Sequence, residues 1–185
     1  MSTASKQVLK KIEKEAEAAS WSIIGPEKGK LLEKIVKTYK PKNILEVGSL
    51  VGYSAILMGQ HLPKGGKITT IEIKEKVIPI ARENLKKAGV EKSVQVLNGD
   101  AMKVIPKLDE KFDMVFLDAE KEEYYSYLLL AENKLDSRAI VVADNVKLFE
   151  NEVRDYLEYV RENDKYESQN FDFDHDAVEV SFKKG

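Results

Sequence analysis

Asn43-Ile44-Leu45-Glu46-Val47-Gly48-Ser49-Leu50-Val51-Gly52-Tyr53-Ser54 is the stretch whose reading decides the fold. Ile44 to Val47 reads as a short buried strand. Gly48 and Gly52 punctuate a turn, and Ser54 to Met58 has the apolar look of a helix start. Strand, glycine turn and helix together make a cradle for a nucleotide. Glycine tolerates positive φ and close approach of a ligand, and a helix N-terminus offers free N–H groups. A dinucleotide fingerprint requires G-x-G-x-x-G. The turn here reads E-x-G-x-x-x-G-x-S, so that pattern fails. Glycine-bearing βα turns also occur without any ligand, so the rest of the chain has to decide.

The wider spacing resembles the first motif of S-adenosylmethionine (SAM) dependent methyltransferases, where the loop meets the methionine and ribose end and has no pyrophosphate to grip.

Working outward, 185 residues suffice for one domain with a sizeable core, expected to span 1–185. A net charge of −2 gives no strong basic field to gather nucleic acid. Cysteine is absent, which rules out disulfides and thiolate metal sites. No apolar run approaches the roughly 20 residues of a membrane span. Met1 to Gln7 lacks a signal-peptide core, so the expected compartment is cytoplasmic.

Ser5 to Ser20 reads as an amphipathic helix with Val8 and Ile12 in its stripe. Pro26 opens a second helix whose buried face carries Leu31, Leu32, Ile35 and Val36. Further strands are expected at Lys67–Glu72, Ser93–Leu97, Phe112–Leu117, Arg138–Ala143, Tyr166–Phe171 and Ala177–Lys183. Helices are expected at Lys74–Ala88, Lys121–Asn133 and Glu150–Asn163, with a short one ending near Pro106. The alternation, with apolar inner strands, implies an α/β protein whose parallel sheet is covered on both faces.

Polar residues collect just after the strands: the Gly48 turn, Glu72, Gly99-Asp100, Asp118 and Asp144-Asn145. In an open α/β sheet such stretches converge on one crevice outside the strands' carboxyl ends. Glu72 is suited to accept both hydroxyls of a ribose. Asp100 either meets an adenine amino group or caps the helix after it. Asp118, Asp144 and Asn145 offer three oxygen ligands without His or Cys, which suits a hard cation such as Mg²⁺.

With these residues in view, the chain resembles the metal-dependent small-molecule O-methyltransferases of the catechol and caffeoyl-CoA type. The likeness runs from about Trp21 to Val146. It is densest at Glu46–Gly48 through Gly52–Ala55, Leu97–Gly99, Asp113–Asp118 and Ala143–Val146. It implies the Rossmann-like class I SAM methyltransferase fold: a seven-stranded, mainly parallel sheet with helices on both faces. The cofactor set it implies is Glu46, Gly48, Gly52, Ser54, Glu72, Gly99, Asp100, Ala101 and Asp118. Asp118, Asp144 and Asn145 become ligands for Mg²⁺ or another divalent cation. Trp21, Ile23 and Asn145 meet a small acceptor with adjacent hydroxyls. The helix within residues 1–20 is expected on or near the active site, and the protein is expected to be a monomer or homodimer.

Lys121, three residues beyond Asp118, is the implied general base. A lysine serves as a base when a nearby cation and partial burial favour its neutral form. The chain departs from catechol enzymes at Ala119 and Glu120, which replace larger rings, and in its short C-terminal part. There Asp172, Asp174 and Asp176 are unranked candidates for contact with substrate, and His175 reads as a solvated loop residue. Two other functions remain open: a methyltransferase for a modified tRNA base, with Lys6, Lys10, Lys11 and Lys14 as its contact face, and a non-catalytic SAM-binding module.

Overall fold

The computed structural model describes residues 1–185. Seven strands form one sheet in the order β3-β2-β1-β4-β5-β7-β6. The strands are β1 (Asn43–Val47), β2 (Lys67–Glu72), β3 (Val94–Asn98), β4 (Phe112–Leu117), β5 (Leu135–Ala143), β6 (Tyr166–Phe173) and β7 (Asp176–Lys183). The first five pair in parallel, whereas β7 runs antiparallel to β5 and to β6. Strand order reverses between β1 and β4, so the loops after these two strands flank the crevice where open α/β sheets bind ligands.

The period of two along each inner strand builds two cores. Ile44, Met114, Phe116, Ile140 and Val142 point to one face. Leu45, Val115, Leu117, Val141 and Ala143 point to the other. The first face is covered by α1 (Thr3–Ala19), α2 (Gly25–Tyr39), α3 (Tyr53–Gly59) and α4 (Ile78–Ala88). The second is covered by α5 (Ala101–Val104), α6 (Tyr124–Glu132) and α7 (Arg154–Glu162). Residues buried on both faces explain why the strands read as apolar runs.

Ser2 caps α1 by accepting from Ser5 N–H, and Val8, Leu9, Ile12 and Ala16 bury the stripe. Each such aliphatic side chain contributes roughly 1.5–3 kcal/mol by leaving water. Helix α1 lies on α3 and α4, with Ser5 Oγ donating to Ala88 O (2.9 Å) and Tyr53 OH to Glu13 Oε1 (2.6 Å).

Several boundaries differ from those expected. Before α4 the chain makes a 3-10 turn at Glu75–Val77, and Pro79 sits in the first turn of the helix proper, where no N–H is missed. Another 3-10 turn, Lys121–Glu123, precedes α6. Helix α7 starts at Arg154, after turns over 146–153. Strand β5 starts three residues early because a bulge, with Arg138 at φ 69°, carries the chain past a register shift opposite Phe112–Met114.

Candidate active site

The loop between β1 and α3 is built around a close approach. Gly48 has φ 97°, and a Cβ placed there would lie 2.1 Å from the carbonyl oxygen of Asp118. Only glycine lets the loop after β1 pass the end of β4 at this distance. Gly48→Ala is therefore expected to lower the melting temperature and displace the loop. A variant whose melting curve and cofactor titration both match wild type would contradict this packing.

Glu72, at the end of β2, is 5% exposed. Its Oε2 accepts from Leu50 N–H and its Oε1 from Lys74 N–H, both at 2.7 Å. The carboxylate thus ties the glycine loop to the next strand. Each oxygen keeps a lone pair for a further donor.

A cavity of about 530 Å³ opens above these groups. Gly48, Ser54, Glu72, Gly99, Asp100, Ala101, Asp118 and Lys121 line it, together with Trp21 and Ile23. Ser20, the residue after α1, also reaches it, although the body of α1 packs against α3 and α4. Asp100 caps α5 by accepting from Met102 N–H (2.9 Å) and pairs with Lys103 (3.0 Å). Asp100 therefore caps α5 and also lines the cavity.

Two members of the expected cofactor set lie off the cavity surface. Gly52, with φ 86°, faces Ala81 and Leu85 of α4; its conformation shapes the turn. Glu46 is fully buried beneath the loop, where Ser54 Oγ donates to its Oε1 at 2.5 Å. Burial pushes Glu46 up to about 7, against the opposing pull of the Ser54 hydrogen bond. Because the folded protein binds this proton more tightly than the unfolded chain, stability falls as pH rises from about 4.5 towards 7. Glu46→Gln is therefore expected to melt higher than wild type at pH 8, with the gap closing in acid. Parallel pH profiles for the two proteins would contradict this.

The acidic cluster lies beside the cavity. Asp118 N–H bonds Val47 O and Asp144 N–H bonds Leu117 O, so the two aspartates follow directly on neighbouring strands. Lys121 Nζ sits 3.0 Å from Asp118 Oδ1 and 2.7 Å from the hydroxyl of Tyr124, which in turn donates to Asp144 O (3.1 Å). Asp144 is 1% exposed. Burial, and after it the like charge of Asp118, push its carboxyl up to about 7. Asn145 adopts φ 63°, a left-handed turn that asparagine tolerates. Its amide Nδ2 donates to Asp176 Oδ2 at 2.6 Å.

Two partners in this cluster were not foreseen. Lys28, in the first turns of α2, places Nζ 2.6 Å from both Asp144 Oδ1 and Asp176 Oδ2. Toward Asp176 the contact is an aligned hydrogen bond. Toward Asp144 it is close but out of line, and Oδ1 is left without a hydrogen-bonded partner. No local pattern announces a pair separated by 148 residues. Tyr124 does carry a local signal, lying one helical turn from Lys121. Of the three C-terminal aspartates, Asp176 joins the cluster, while Asp172 is exposed and pairs with Lys147. Asp144 and Asn145 stand outside the lining of the main cavity. The donor set of Asp118, Asp144 and Asn145 fits a hard divalent cation: all oxygen, with a buried carboxylate oxygen that lacks an aligned donor.

A family model described as O-methyltransferase matches residues 1–181. The chain belongs to the O-methyltransferase family. A catechol O-methyltransferase of Niastella koreensis is 39% identical over 127 residues, which cover 66% of this chain and 58% of that protein. The mouse catechol O-methyltransferase is 33% identical over 172 residues, covering 89% of this chain and 64% of that one. The chain thus spans about three fifths of the length of these curated relatives. Among solved structures, the Bacillus cereus O-methyltransferase in complex with SAH superposes with TM-score 0.88 at 26% identity, over 96% of this chain and 91% of that one. TomG of Streptomyces achromogenes, an O-methyltransferase in complex with SAM, gives TM-score 0.87 at 25% identity over 100% and 91%. The family's Rossmann-like class I SAM methyltransferase fold is the one described above, and none of its helices here is long and apolar enough to cross a membrane.

Proposed function

We propose that this chain is a SAM-dependent, divalent-cation-dependent O-methyltransferase acting on a small acceptor with adjacent hydroxyls, and that residues 1–185 work as one methyltransferase unit. One observation carries the reading. The Gly48–Glu72 cavity and the Asp118, Lys121, Asp144 and Asn145 cluster meet at the carboxyl ends of β1, β4 and β5, with Asp118 and Lys121 common to both. The names of the catechol and caffeoyl-CoA relatives support the acceptor class.

Glu72 and the loop amides around it hold the nucleoside end of SAM, whose methyl group sits on an activating sulfonium. Trp21 and Ile23 wall the acceptor side and exclude water. Asp118, Asp144 and Asn145 would hold the cation, which when bound supplies the positive charge that acidifies a hydroxyl and orients it. Lys121 takes the acceptor's proton at Nζ, held in place by Asp118 and Tyr124. The chain contributes alignment of methyl group and oxygen, which is worth far more than any single contact.

Glu72→Ala removes both the ribose acceptor and the tie to Leu50. Calorimetry should show SAM affinity falling well beyond tenfold, and SAM should no longer raise the melting temperature, as a ligand of the folded state otherwise does. Unchanged SAM affinity would remove Glu72 from the site. The function itself is tested by incubating the protein with methyl-labelled SAM, Mg²⁺, a panel of catechols and bulk tRNA. Label in the catechol fraction is expected. Label in tRNA would favour the RNA-modifying reading, and label in neither, with SAM bound, the regulatory module.

A further inference from the structure

The Lys28 contact runs against the grain of its helix. A cation in the first turns faces the positive end of the helix dipole, where it is disfavoured. Lys28 is nevertheless only 13% exposed in its side chain. What holds it there is Asp144 and Asp176, each with an oxygen 2.6 Å from Nζ. The ammonium therefore neutralises a carboxylate that would otherwise be buried beside the like charge of Asp118.

The same oxygen, Asp144 Oδ1, is the buried one with no aligned donor. A magnesium ion binds a carboxylate oxygen at about 2.0–2.1 Å. An ammonium 2.6 Å from Asp144 and a divalent ion held by the same carboxylate would repel strongly in a site shielded from water. Occupancy of the Asp144 carboxylate by one cation would therefore disfavour the other. Lys28 has somewhere else to go. A second cleft of about 450 Å³ has Lys28, Phe173, His175 and Asp176 in its lining, and neither Asp118 nor Asp144. Asp176 faces that cleft and already accepts an aligned hydrogen bond from Lys28.

We propose that Lys28 is an internal competitor for the metal: its ammonium neutralises the Asp144 carboxylate and is displaced from it, keeping Asp176 and moving into the second cleft, when a divalent cation loads. The inference rests on the metal reading of Asp118, Asp144 and Asn145 given above. It has two consequences. The fold needs no divalent ion to neutralise Asp144, and monovalent ions do not displace a tethered ammonium. Asp176 has a positioning role on both sides. A carboxylate only accepts, so it fixes Asn145 with Nδ2 toward itself and the amide oxygen turned the other way.

The test is calorimetric titration of Mg²⁺ into wild-type protein and Lys28→Met, with Asp144→Ala as the non-binding control. Lys28→Met should bind Mg²⁺ tighter by about tenfold or more, since removing a competing cation raises apparent affinity by mass action. Its melting temperature should fall in EDTA and rise with Mg²⁺ by more than that of the wild type, since the tighter-binding protein gains more from the same ion concentration. Equal or weaker binding in folded Lys28→Met overturns the proposal and leaves the metal reading intact. No Mg²⁺ binding by either protein at millimolar concentrations overturns both. Should Lys28→Met fail to fold even with Mg²⁺, reductive methylation of wild-type Lys28, read by peptide mass spectrometry, decides: Mg²⁺ is expected to increase its labelling, and unchanged or reduced labelling refutes displacement.

Discussion

Asp144→Ala should reduce methyl transfer to background while leaving the fold in place. Asp144 is buried, and its backbone N–H, which the substitution keeps, is what joins it to β4. Its side chain adds no aligned hydrogen bond through Oδ1. Removing it also removes a costly buried charge, and Lys28 retains Asp176 at 2.6 Å. The melting temperature is thus expected to move little, whereas the proposed cation site would lose its most enclosed ligand. Activity of the wild type should vanish in EDTA and return with Mg²⁺, and the variant should show no return. Turnover by the variant at the wild-type rate, or full wild-type turnover in chelator, would reduce the Asp118–Asp144–Asn145 group to turns and caps.

Lys121→Ala is the second large effect. A positioned general base typically contributes roughly 10²–10⁴-fold. The kcat is expected to fall within that range with little change in SAM affinity, because in the proposed reaction Lys121 acts on the acceptor and not on SAM. The structure supplies a competing explanation, since Lys121 also pairs with Asp118 and Tyr124. Lys121→Arg separates the two. Arginine preserves the charge and the pairing but stays protonated, so a structural role predicts rescue and a proton-accepting role predicts none. Where methyl transfer limits the rate, the pH–rate profile of Lys121→Ala should also lose one ionisation. Near wild-type kcat across roughly pH 6 to 9 would take Lys121 off the catalytic list.

Much of the fold was legible because strands buried on both faces leave continuous apolar runs, as at Met114–Leu117 and Ile140–Ala143. Helix starts were less so. Pro79 and the residues after Glu120 permit a helical pattern to begin as a 3-10 turn, and periodicity alone does not separate the two. The early start of β5 depended on a bulge at Arg138, which only the pairing with β4 makes necessary. At the site, Gly48, Glu72, Asp118 and Lys121 could be read because each follows a strand end. Gly52, expected among the cofactor contacts, packs its Cα side against α4, and a positive-φ glycine looks the same in sequence whether a ligand or a helix is its neighbour. Asp176 stood among the unranked C-terminal candidates, but its pairing with Lys28 could not be read, because it joins α2 to the first residue of β7.

The most direct test is to mix the purified protein with SAM and catechol and follow SAH and methylated catechol together by mass spectrometry, with Mg²⁺ and then with EDTA. Equal amounts of SAH and a singly methylated catechol with Mg²⁺, and neither with EDTA, are expected. SAM that binds yet yields no methylated catechol, or product formed equally in EDTA, would contradict a cation-assisted methyl transfer at this site.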